Sequence, residues 1–108
     1  MFGFAWSPCR SSEFTLRPGS ITFDCGGDGG YVALCLGDTS SDCKRIYPNH
    51  KSLTMRVCVF PSSYLAEWAY QSVRLEIVDD VSGDWGHLAI DNIAFESGNI
   101  FFNFFFYL

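Results

Sequence analysis

The stretch SVRLEIVDDVSGDWGHLAIDNIAF, residues 72–95, decides the fold class of this chain. Val73, Leu75 and Ile77 alternate with Arg74 and Glu76, the pattern of a strand with one buried face. Leu88, Ile90 and Ile93 carry an apolar set onward beyond Gly86. Between the two runs, Ser82, Gly83 and Asp84 have the chemistry of a hairpin connection, because glycine tolerates positive φ and aspartate bonds nearby backbone amides. The segment is expected to form two paired antiparallel strands joined at a bend that carries Trp85.

Asp79, Asp80, Asp84, Trp85, His87 and Asp91 gather at or near that bend. An indole at Trp85 removes a large apolar area from water while its N–H seeks an acceptor, so it suits the open end of a core. His87 and Asp91 are four residues apart and face the same way on an unbroken strand. One reading makes Trp85, His87 and Asp91 a hydrogen-bonded plug that fixes the bend. The other makes Trp85, with Asp84, His87 and Asp91, a sugar-binding platform: aromatic faces stack on C–H-rich sugar faces while carboxylates bond hydroxyls. Tyr31, Tyr64, Trp68 and Tyr70 are further aromatic candidates for such a face.

Calcium, a hard cation that takes oxygen ligands, is the one ion the acidic turn suits, through Asp79 and Asp80 with Asp84 and Asp91. The spacing is not that of an EF-hand, and no other cofactor is expected. A carboxylate pair for hydrolysis would need a cleft that a chain this short does not provide, so no catalytic residue is assigned. The run Gly26-Gly27-Asp28-Gly29-Gly30 lacks the Gly-Lys-Ser/Thr ending of a phosphate loop and is expected to be a turn between strands.

With 108 residues the chain is one domain at most. Aromatic and charged residues each make up 18%, a composition too apolar for disorder. A net charge of -5, with only Lys44 and Arg45 adjacent among the basic residues, speaks against a nucleic-acid partner. Five cysteines, at 9, 25, 35, 43 and 58, contain no CxxC pair and have no zinc-like histidine spacing. They point to an oxidising, extracellular setting with one or two disulfides and one cysteine left over. Cys35 and Cys43 flank the polar run GDTSSD and are placed to staple the base of a hairpin.

Other strands follow from composition and turns. Residues 13–16 and 21–25 are separated by Arg17-Pro18-Gly19-Ser20, and 31–36 is a mostly apolar strand. Residues 44–47 form another, ending at Pro48-Asn49. In 53–60 the set Leu53, Met55, Val57 and Val59 alternates with Thr54, Arg56 and Cys58, which predicts burial of the first set. Residues 64–70 are expected to be a short helical turn or irregular. Six to eight strands at this spacing indicate a sandwich.

Both ends are expected to be incomplete. Residues 1–7 have neither the basic start nor the apolar stretch of a signal peptide. The tail NIFFNFFFYL is too short to span a bilayer, which needs about 20 apolar residues. A last strand, the start of a membrane segment and non-native sequence are the three readings of this tail, and the last is favoured because six aromatics between Phe101 and Tyr107 are an aggregation hazard if exposed.

The sequence Arg10-Ser11-Ser12-Glu13-Phe14-Thr15-Leu16, followed by Gly19-Ser20-Ile21-Thr22-Phe23, Gly26-Gly27 and Tyr31-Val32-Ala33-Leu34, resembles the opening of a galactose-binding-like β-jelly-roll module. The stretch Asp84-Trp85-Gly86-His87, with Asp91, resembles that module's characteristic hairpin. Similar modules are non-catalytic carbohydrate-binding domains attached to levanase-type glycosidases. MAM adhesion domains, which share a jelly roll and a similar ending, are the second resemblance, and His87 and the cysteine placement depart from them. The resemblance implies an all-β jelly roll or β-sandwich of two antiparallel sheets over residues 8–96, with 97–108 as a separate tail. It implies a non-enzymatic extracellular module of a larger protein, with glycans or extracellular proteins as partners and no transmembrane segment.

Overall fold

The computed structural model describes residues 9–37, 41–49, 54–79, 88–96 and 105–107. Its strands are β1 (Cys9–Arg10), β2 (Phe14–Thr15), β3 (Ile21–Gly27), β4 (Gly30–Leu36), β5 (Cys43–Ile46), β6 (Arg56–Phe60), β7 (Ser72–Asp79), β8 (Leu88–Phe95) and β9 (Phe105–Tyr107). A single helical turn, α1 (Ser62–Leu65), runs into a 3-10 turn (Ala66–Trp68), the short helical segment expected there. The strands form two antiparallel sheets, the all-β sandwich that the alternating pattern predicts. The first sheet runs β1-β7-β4-β5, with β2 also on β7, and the second runs β6-β3-β8-β9.

Residues 72–79 and 88–95 are strands, as expected, but they are not partners. Strand β7 pairs with β4 in one sheet, and β8 pairs with β3 in the other. The expected hairpin is replaced by a connection between sheets. Alternation fixes which side chains face the core and is the same whichever strand lies alongside, so the mistaken pairing leaves the burial pattern intact. The Gly26–Gly30 run makes a matching crossing from β3 to β4. There Gly27 and Gly29 take φ of 99° and 82°, values that side chains rarely adopt.

One core joins the sheets. Val32, Leu34, Val73, Leu75 and Ile77 from the first meet Ile21, Phe23, Leu88, Ile90, Ile93 and Phe95 from the second. Ile90 and Ile93 both face inward although they are three apart. The register between β3 and β8 shifts between Thr22 and Asp24, and Asn92 takes φ of 53°, so a bulge turns the strand by one position.

Strand β6 corrects a second expectation. Cys58 and Phe60 are its buried residues, whereas Val57 and Val59 are 71% and 41% exposed. Of the set expected inside, Val57 and Val59 are outside, and Leu53 lies outside the described residues. Phe60 packs on Phe23 with ring centroids 5.9 Å apart, and Cys58 is disulfide-bonded to Cys25. Those two anchors fix the parity of the strand, and the valines take the opposite face. Phe105–Tyr107, within the tail set apart from the domain, forms a strand antiparallel to Ala89–Asp91 of β8.

Candidate functional site

The cysteines pair Cys35 with Cys43, as the polar loop between them suggests, and also Cys25 with Cys58. The second bond has a sequence separation of 33 and carries no local signal beyond parity: Cys25 continues the inward series Ile21, Phe23. Two disulfides are present among the described residues, with Cys9 as the fifth cysteine. The Cys35 and Cys43 sulfurs lie within 4.8 Å of a Glu76 carboxylate oxygen. Bonded to one another, those sulfurs are not thiolate ligands, and Glu76 is itself paired with Arg74 at 2.6 Å.

Of the residues singled out at the bend, Asp80, Asp84, Trp85 and His87 lie outside the described residues, so neither the platform nor the His87–Asp91 pair is placed. Asp79 ends β7 opposite Gly30, and Leu88 begins β8 opposite Gly27. The strands flanking 80–87 therefore reach the same end of the sandwich as the Gly26–Gly30 crossing. Asp91 sits on the outer face of the second sheet, opposite Asp24. Its carboxylate accepts the Asn92 backbone N–H at 2.7 Å, while the Asn92 amide donates to Asp24 at 2.8 Å. Asp91 and its neighbours thus stabilise the bulge.

The other aromatic candidates separate by location. Trp68 is buried in the core, and Tyr64 stacks beside Phe60 at a centroid distance of 6.5 Å. Both receive Lys44, whose Nζ lies 4.5 Å from the Trp68 centroid and 4.6 Å from that of Tyr64, while it also pairs with Glu67. This cation–π arrangement closes the gap between the edge strands β5 and β6. Tyr70 is exposed at the far end of the helical turns, where its backbone N–H bonds the Leu16 carbonyl at 2.6 Å.

Tyr31 is the candidate that finds polar company. It stands on the outer face of β4, because Val32 and Leu34 take the core side. The chain leaving β5 brings Tyr47 alongside it, with ring centroids 5.2 Å apart and planes at 50°. Arg45 lies over Tyr31, its guanidinium carbon 5.1 Å from the ring centroid. Tyr47 is 60% exposed. Beside the pair opens a depression of about 480 Å³ lined by Asp28, Gly29, Gly30, Tyr31, Tyr47 and Asn49. The Asp28 carboxylate holds the crossing by accepting the Gly29 N–H at 2.8 Å, and a carboxylate oxygen can accept more than one bond. Sequence reading names Tyr31 but misses Tyr47, Asn49 and Asp28. Their only signal is position, at strand ends that become neighbours when β4 pairs with β5.

A depression of this size, with aromatic walls and a few convergent polar groups, has the make-up of a small-ligand site. Among the described residues no helix is long and apolar enough to cross a membrane. Comparison with models of known protein families, with curated proteins and with solved structures finds no match. The class that the structure defines is a disulfide-bonded β-sandwich of two antiparallel sheets.

Proposed function

We propose that this β-sandwich is a non-catalytic, extracellular binding module of a larger protein, and that it takes carbohydrate at the Tyr31–Tyr47 depression. The observation that carries the reading is the tilted tyrosine pair with Asp28 and Asn49 around it. An exposed phenol ring offers its face to axial C–H groups of a sugar, and carboxylate and amide groups orient the hydroxyls. Two disulfides support an oxidising setting, since glutathione and thioredoxin keep cytosolic thiols reduced. The resemblance to carbohydrate-binding modules of glycosidases points the same way, and the site proposed here is carried by β4 and the chain leaving β5. Calcium is not required by this reading.

The test is a glycan microarray probed with the oxidised chain and with Tyr47→Ala. Specific binding that disappears in Tyr47→Ala supports the proposal. A blank array, or binding equal in both proteins, counts against this site.

A second reading, an adhesion-type or structural interaction domain, is favoured by one observation. Val57 and Val59 are exposed β-branched residues on an edge strand, a surface suited to another protein chain.

A further inference from the structure

We infer that the Cys35–Cys43 disulfide is the positioning element of the Tyr31–Tyr47 pair, and that its opening by a dithiol reductant dismantles that face without unfolding the sandwich. The inference rests on the reading of the tyrosine pair as the binding face.

Tyr31 belongs to β4, which is held on its other side by seven register positions with β7. Tyr47 follows β5, a four-residue edge strand whose register is entirely with β4: Val32 with Ile46, Ala33 with Arg45, Leu34 with Lys44 and Cys35 with Cys43. The disulfide closes this ladder at one end, and the tyrosine pair forms at the other. Further contacts reach the segment from outside its sheet: Ile46 packs against the core, and Lys44 lies over the Tyr64 and Trp68 rings. Lys44 pairs with Glu67, whose side chain is 66% exposed and so well screened by water. The Arg56 guanidinium donates to the Pro48 carbonyl. None of these contacts opposes two residues across the ladder, whereas the disulfide joins the directly opposed Cys35 and Cys43 and so fixes register. A strand this short, with no partner on its outer edge among the described residues, loses its register on β4 without that bond.

The two disulfides also differ in access. Cys25 and Cys58 are 0% and 9% exposed inside the core, and Cys35 is 0% exposed, but Cys43 is only half-buried. Attack by a thiolate of the reductant on the Cys43 sulfur forms a mixed disulfide and releases Cys35 as a thiolate, which takes a proton. The reductant's second thiol then displaces Cys43, leaving two protein thiols and an oxidised reductant. The core disulfide stays closed.

The experiment compares the oxidised chain with Cys35→Ser/Cys43→Ser, both carrying Cys9→Ser to prevent exchange, and uses no ligand. Failure of glycan binding and failure of this inference are therefore separate results. Amide exchange and ring-to-ring nuclear Overhauser effects are read by NMR. The expected result is exchange about 100-fold faster at Lys44, Arg45 and Ile46 and loss of the Tyr31–Tyr47 effect, with the Phe23–Phe60 effect retained. Unchanged exchange and an intact Tyr31–Tyr47 effect overturn the inference. Loss of both ring pairs overturns it as well, because opening would then be global. Treating the chain that retains its native Cys35 and Cys43 with a dithiol should reproduce the variant's spectrum, with the Cys25–Cys58 bond intact by mass mapping.

Discussion

Cys58 is bonded to Cys25 inside the core, and this bond determines which face of β6 is buried. Next to it Val57 points outward and is 71% exposed, although it belongs to the larger apolar set of its strand. A cross-link of this kind removes closure entropy from the unfolded chain, and the longer loop contributes more. Replacing Cys25 and Cys58 by alanine should cost about 4 kcal/mol, against about 2.5 kcal/mol for opening Cys35–Cys43. Urea denaturation of the two double variants checks the order. Equal or reversed losses would contradict it.

The parity of β6 makes a sharper prediction. Val57→Thr should change stability by no more than about 0.5 kcal/mol, because the side chain already meets water. Phe60→Ala should cost roughly 3–5 kcal/mol through lost packing against Phe23 and the cavity left behind. If the valine substitution proved the more damaging, the strand would face the other way.

Lys44 is held under Tyr64 and Trp68 with its side chain only 11% exposed. Lys44→Ala should destabilise by roughly 1–2 kcal/mol, combining cation–π attraction with packing of the aliphatic stem. Glu67→Gln should cost much less, since its exposed carboxylate contributes little. Thermal melts monitored by tryptophan fluorescence would separate the two, and equal effects would show that the ion pair rather than the rings holds Lys44.

Glu96 gives a pH prediction. The Ser20 hydroxyl and then the Ser20 backbone N–H donate to its carboxylate, at 2.5 and 2.9 Å, and hold it below the ordinary carboxylate range against a small opposing effect of burial. A carboxylate with a lowered folded-state pKa stabilises the fold above its unfolded pKa and loses that contribution as pH falls through the folded value. The Glu96 resonance should therefore titrate at lower pH than a free glutamate, and Ser20→Ala should move it upward. A Glu96 titration unaffected by Ser20→Ala would show that the tie between the β3 and β8 ends has no electrostatic weight.

Much of the architecture is legible in residues 72–95, because alternation of Val73, Leu75 and Ile77 survives any choice of neighbour. The pairing of β7 with β4 and of β8 with β3 is not legible there. It depends on which strands lie adjacent after repeated crossings between sheets, and the residue types at 82–84 are common to hairpins and crossings alike. Ile93 shows the same limit on a smaller scale: only the bulge at Asn92 reconciles it with Ile90. Cys35–Cys43 is readable because the loop between them is short and polar, whereas Cys25 and Cys58 meet through tertiary structure. For the candidate site, the outward face of Tyr31 follows from parity in β4. Tyr47, Asn49 and Asp28 join it only once strand ends distant in sequence come together.

The most direct measurement is a titration of the ¹⁵N-labelled, oxidised chain with a panel of soluble neutral and acidic oligosaccharides, followed by NMR. The binding account predicts saturable shifts concentrated at Asp28, Gly29, Tyr31, Tyr47 and Asn49 and abolished by Tyr47→Ala. Shifts confined to residues remote from that depression, or none across the panel, would contradict it.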